Sequence, residues 1–105
     1  MIEKILTASG LPFKRSQYVR LPETTCAVYL DDKTTDGPDG INALIHHDVT
    51  VEVYEPKADD AAEAALEAAI DAEGLAWTKQ DRYWLPEEQR YQVVYEFSYI
   101  EKRRI

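Results

Sequence analysis

Apolar and polar residues alternate from Ile45 to Tyr54, with Ile45, His47, Val49, Val51 and Val53 on one side and His46, Asp48, Thr50, Glu52 and Tyr54 on the other. A period of two marks a strand that turns one face to a core, and Pro56 ends it. The same period returns over Arg90 to Lys102, where Tyr91, Val93, Tyr95, Phe97 and Tyr99 share a face. Between these segments the spacing changes. Ala62, Ala65, Leu66, Ala69 and Ile70 form a single stripe at helical spacing within Asp59 to Glu73. Asp59 or Asp60 can cap that helix, and Gly74 is placed to end it. Glu63, Glu67 and Asp71 follow one another at i, i+4 on another face, a like-charged row that weakens an isolated helix.

The flanking segments complete the order. Ile2, Ile5 and Leu6 predict a short first helix that Gly10 and Pro12 terminate. Leu11 to Tyr18 reads as a short extended segment, and Thr24 to Leu30, rich in β-branched and aromatic residues, as a strand. Asp31 to Gly40 reads as a turn-rich loop. Leu75 to Tyr83 and Arg90 to Lys102 read as a hairpin closed by Pro86-Glu87-Glu88. The order α-β-β-β-α-β-β predicts one α+β domain over residues 1–105. Its expected form is a single twisted, mostly antiparallel sheet of about five strands with two helices packed on one face.

Charge changes what partners to expect. The net charge is −8, and two segments account for all of it. Six carboxylates against Lys57 give residues 57–74 a net −5, and Asp31, Asp32, Asp36 and Asp39 against Lys33 give residues 31–40 a net −3. Such a surface repels nucleic acid and anionic membranes. A solvated, solubilising face is the simplest role for the acidic helix. No stretch approaches the ~20 apolar residues that a spanning helix needs, and MIEKILTASG lacks the apolar run of a signal peptide. A soluble protein made in a cytoplasm is the expectation. Cys26 is the only cysteine, so no intrachain disulfide can form.

Candidate chemistry fails piece by piece. His46 and His47 are adjacent on a strand, so their rings point to opposite faces and cannot chelate one ion. Asp32, Thr34 and Asp36-Gly37 fit the first half of a calcium-binding loop, but Ala43 stands where the bidentate Glu belongs. Cys26 sits mid-strand with nothing in sequence to activate it. The four glycines, Gly10, Gly37, Gly40 and Gly74, form no phosphate loop. The aromatic stripe could stack bases, but it lacks basic flanks beyond Arg90 and Lys102-Arg103-Arg104, so packing is the expected role. No catalytic residue, metal ligand or cofactor site is expected, and the chain is not read as an enzyme.

Three pieces, however, carry a resemblance. They are MIEKILTASGLP (Met1 to Pro12), DVTVEVYEPKADDAAEAALEAAIDAEG (Asp48 to Gly74) and YWLPEEQRYQVVYEF (Tyr83 to Phe97). Together they resemble a family of small siphophage and prophage proteins that serve as tail terminators, tail-completion proteins or minor capsid proteins. The resemblance implies a twisted sheet with helices on one side. It also implies a structural virion protein that assembles into a homo-oligomeric ring, often hexameric, at the end of the tail tube and mediates head-tail joining. Its partners would be copies of itself, the tail tube protein and head-tail connector proteins. It implies no specific nucleic-acid binding, although DNA would pass through the ring, and no membrane. Acidic groups such as the Glu63/Glu67/Asp71 row would then serve by facing the channel and keeping phosphates from sticking.

The family offers no residue-level motif, so contact candidates come from composition and expected exposure. They are Asp31, Asp32, Asp36 and Asp39 in the acidic loop, and Trp84, Glu87, Glu88 and Arg90 at the final hairpin. Two alternatives compete with the terminator. One is an acidic phage-encoded inhibitor that mimics DNA toward a host nucleic-acid-binding protein. The other is a different neck or connector component.

Overall fold

The strictly alternating segment becomes the centre of the sheet. In the computed structural model, which describes residues 1–36 and 44–102, the elements run α1 (Ile2–Ser9), β1 (Phe13–Arg15), β2 (Cys26–Asp36), β3 (Leu44–Glu55), α2 (Asp60–Ala72), β4 (Trp77–Lys79), β5 (Tyr83–Leu85) and β6 (Arg90–Lys102). The sheet order is β1-β2-β3-β6, with β4 and β5 both on the outer edge of β6. The fold is α+β, as expected, but the sheet has six strands and is mixed. Parallel pairing of β1 with β2 is the exception to the antiparallel pattern. Residues 16–25 carry the chain back far enough for that pairing because β1 is only 3 residues long.

Two further expectations are corrected. The loop predicted over Asp31 to Gly40 is overturned for its first part, because Asp31–Asp36 continue β2 in register with β3, from Asp31↔Val49 to Asp36↔Leu44, while its remainder, 37–40, lies outside the described residues. Cross-strand pairing and the β-branched Thr34 and Thr35 outweigh the turn preference of the aspartates. The predicted strand Leu75 to Tyr83 is split into β4 and β5. β4 pairs Lys79 with Tyr95, whereas β5 pairs Tyr83 with Gln92, so residues 80–82 lie opposite only Val93 and Val94. One extra residue on one strand is a β-bulge.

Register puts the odd-numbered residues of β2, β3 and β6 on one face. Ala27, Val53 and Val93 align there, as do Tyr29, Val51 and Tyr95. Ile2, Ile5 and Leu6 of α1 and Leu66, Ala69 and Ile70 of α2 complete the core on that face. Lys4 of α1 pairs with Glu73 after α2 at 2.9 Å. Both helix ends behave as their residues predict. Asp59 Oδ1 accepts from Ala62 N–H at 3.0 Å, while Gly10 and Gly74 adopt φ of 80° and 72° past the two helices. Among the described residues no helix lies on the even-numbered face.

The long strands outrun their neighbours. β1 covers only Ala27–Tyr29 of β2, and β4 covers β6 no further than Phe97. Beyond those points the described part of the sheet is a ribbon of β2, β3 and β6 with two open edges, and the molecule extends to 50 Å. Two substitutions measured by urea denaturation separate the faces. Leu66→Ala, at a fully buried position, should cost about 2–5 kcal/mol, whereas Ile100→Thr on the open face should stay within about 0.5 kcal/mol.

Candidate functional site

The densest polar chemistry lies between α2 and the β4–β5 edge. In an unbroken strand, residues 79 and 82 would point to opposite faces. The bulge changes the parity, and both Lys79 and Arg82 turn toward the helix. There Lys79 Nζ donates to Glu63 Oε1 and Glu67 Oε2, both at 2.8 Å. Arg82 Nη2 donates to Glu63 Oε2 at 2.7 Å and to Asp60 Oδ1 at 2.6 Å, and its Nε reaches Glu55 Oε1 at 3.3 Å. Tyr95 Oη donates to Glu67 Oε2 at 2.6 Å, and Trp77 Nε1 donates to Asp71 Oδ1 at 2.8 Å. The like-charged row is therefore countered from the sheet. This overturns its reading as a solvated face, and Glu63 and Glu67, turned onto their own sheet, cannot line a channel.

Glu55 is the centre of this network. It is fully buried at the end of β3, its Oε1 accepts from Asp59 N–H at 2.9 Å, and its Oε2 has no donor among the described residues. A proton on Oε2, shared with Glu63, satisfies that orphan atom. Burial, and next the hydrogen bond to Glu63, push the Glu55 carboxyl up to about 7. Burial alone would also raise Glu63, but the hydrogen bonds from Glu55, Lys79 and Arg82 outweigh it and hold Glu63 well below the usual carboxylate range. Two close carboxyls pushed apart in this way share one proton. Tyr95 is pushed up by burial and then by its bond to Glu67.

A second polar group anchors the base of the ribbon. His47 is buried on the helix face and stacked on Tyr99, with ring centroids 4.3 Å apart. Its Nδ1 lies 2.9 Å from Asp31 Oδ1, and its Nε2 lies 2.8 Å from Glu101 Oε1. Each ring nitrogen thus faces a carboxylate oxygen, one from β2 and one from β6. His46 lies on the opposite face, as the alternation predicts. Among the described residues no group of three or more histidines, cysteines, aspartates or glutamates is placed to hold a metal ion.

The helix-free face has a different character. Leu30, Tyr83 and Ile100 are exposed on it, and Val19 in the covering loop is fully exposed. At the β5 end, loop 16–21 and turn 86–89 border an open cleft of about 800 Å³ floored by Val28, Glu52 and Tyr54. Tyr18, Tyr83 and Leu85 line its walls, with Glu87, Glu88 and Arg20 at its rim. Tyr54 Oη donates to Glu52 Oε1 at 3.2 Å. Cys26 is buried at this end, and burial raises its thiol.

The contact candidates scatter. Asp31 is buried against His47, so it cannot offer a surface contact, because its carboxylate is already bound within the fold. Asp32 and Asp36 are exposed on β2, and Asp39 lies outside the described residues. Trp84 is partly exposed and packs edge-on against Tyr91. Glu87 and Glu88 are exposed at the turn and border the cleft, whereas Arg90 Nη1 donates to Pro22 O at 2.8 Å. Sequence reasoning missed Glu55, Lys79, Arg82, Tyr95 and the bracketing of His47. One signal was available: an i, i+4 carboxylate row is tolerable on a helix when another element supplies the countercharge. No helix among the described residues is long and apolar enough to cross a membrane. Neither a protein-family model nor a curated protein matches the chain.

The shared proton has a measurable sign. Folded Glu55 keeps a proton that the unfolded chain releases near its ordinary value of 4.5, so its contribution to stability is lost as pH rises from there through about 7. Glu63 acts oppositely, and its contribution is lost as pH falls below 4.5 toward its depressed value. Glu55→Gln keeps an acceptor for Asp59 N–H and supplies a permanent donor to Glu63. Urea midpoints measured between about pH 5 and 8 should fall with pH in the wild type and stay flatter in Glu55→Gln.

Proposed function

We propose that this chain is a structural, self-assembling component of a phage tail. It forms a ring at the end of the tail tube, completes the tail and joins it to head-tail connector proteins. The observation that supports this most is the bare sheet face. Among the described residues helices cover only the other side, and Leu30, Tyr83, Ile100 and Val19 remain exposed to a partner. The ribbon adds two open strand edges, which invite further pairing. The sequence resemblance supplies the context of the tail, with copies of the chain and the tube protein as partners and the virion as its location.

The network on α2 bears on the alternatives. A DNA mimic needs its carboxylates presented to a basic partner, yet Glu55, Glu63 and Glu67 are engaged with Arg82, Lys79 and Tyr95. That counts against the inhibitor. Another neck component would use the same kind of surface, and the position of the gene relative to that of the major tail protein distinguishes it from a terminator.

Assembly is testable directly. Sedimentation velocity and negative-stain imaging should show closed multimers of the 12.1 kDa chain. Leu30→Asp with Ile100→Asp should lower the multimer fraction while leaving Tm close to that of the wild type. A wild type that stays monomeric at every concentration, alone and with tube protein, would sink the reading.

A further inference from the structure

The cleft on the helix-free face has the chemistry of a receptor for a basic segment. Three tyrosines, Tyr18, Tyr54 and Tyr83, line it beside Glu52, Glu87 and Glu88, and Arg20 is its single basic residue. None of the three glutamates forms an ion pair with another described residue. Tyrosine faces and carboxylates together select guanidinium and ammonium groups, through cation–π attraction and charge-assisted hydrogen bonds. The aliphatic stems of Lys and Arg can lie along Leu85 and Val28 at the same time.

This chain carries one run of three consecutive basic residues, Lys102-Arg103-Arg104, followed by the apolar Ile105. Three other cations are already committed within the fold: Lys4 to Glu73, Lys79 to Glu63 and Glu67, and Arg82 to Glu55, Asp60 and Glu63. The run cannot reach the cleft of its own molecule. Leu85, in the cleft wall, pairs with Arg90 at the start of β6, and Lys102 is the last residue of that strand. Twelve steps of about 3.3 Å separate them by about 40 Å, while the two arginines add at most about 7 Å.

We infer that the basic segment Lys102–Arg104 of one copy docks in the tyrosine-and-glutamate cleft of the next. Lys102, where the donor segment begins, and the receptor cleft lie at opposite ends of a 50 Å molecule, so the contact is head-to-tail. Contacts of that kind close into a ring when the rotation permits. The inference rests on the proposed self-assembly and specifies the seam. It also gives the acidic turn at Glu87 and Glu88 a role that stability does not require.

Charge reversal at both ends tests it, with multimer mass read by sedimentation velocity and folding checked by Tm. Arg103→Glu with Arg104→Glu, and separately Glu87→Lys with Glu88→Lys, should each weaken self-association by at least about tenfold, the scale of one lost charged contact. Mixing the two variants should restore assembly. Lys14→Glu with Lys57→Glu changes the net charge in the same direction and by the same amount as the arginine pair and should assemble like the wild type. Normal assembly of either end variant, or failure of the mixture to recover, overturns the seam while leaving self-assembly standing. Should the wild type itself be monomeric, the ring fails, and the cleft is judged by titrating a synthetic Glu101–Ile105 peptide. Salt-sensitive binding that Glu87→Lys with Glu88→Lys abolishes supports the cleft contact, and no binding overturns it.

Discussion

The fold depends on how α2 is held to a sheet edge made of fragments. β4 and β5 are 3 residues each and could not hold position by ladder bonds alone. Lys79 and Arg82 reach from them to Glu63 and Glu67, and Glu55 closes the network from β3. Helix, edge and central strand are thus tied by charge at the rim and by Leu66 and Ile70 beneath. Buried pairs of this kind are weak evidence of added stability, since desolvation offsets much of the attraction. Geometry is what they specify. Only one register of the edge brings both cations onto two carboxylates one helical turn apart.

The two polar groups divide the molecule. Around α2, four carboxylates meet two cations and share a proton. At the base of the ribbon, His47 sits between Asp31 and Glu101 and ties β2, β3 and β6 together where helix cover runs out. The helix-free face holds no comparable network, and its cleft leaves aromatic faces and free carboxylates available. Internal polar groups thus serve the fold, while the open face is left for partners.

Much of this was legible in the sequence. Period-two segments placed β3 and β6, the alanine-rich stripe placed α2, and Asp59 and Gly74 marked its ends. The aromatic stripe proved to be core, with Tyr95 and Phe97 buried. What was not legible depended on pairing between distant segments. Asp31–Asp36 looked like a loop because aspartate favours turns locally, yet β3 imposes strand geometry on it. Parallel addition of β1 leaves no local pattern, since Phe13–Arg15 is too short to carry a period. The acidic row on α2 looked solvated because its countercharges come from residues 79 and 82, whose common direction exists only through the bulge.

That bulge also shapes how the gene can drift. The turn after β5 can gain or lose residues with little effect on what precedes it, because it lies at a free end of the hairpin. Deleting Gln80 or Asp81 would remove the bulge yet leave Lys79 and Arg82 two positions apart, still on one face of an unbroken strand. Replacing Arg82, by contrast, would leave the buried carboxylates of Glu55 and Glu63 without the cation they share. Relatives of this chain should therefore hold an arginine or lysine at this place, while the two residues before it vary in type and one of them can be missing.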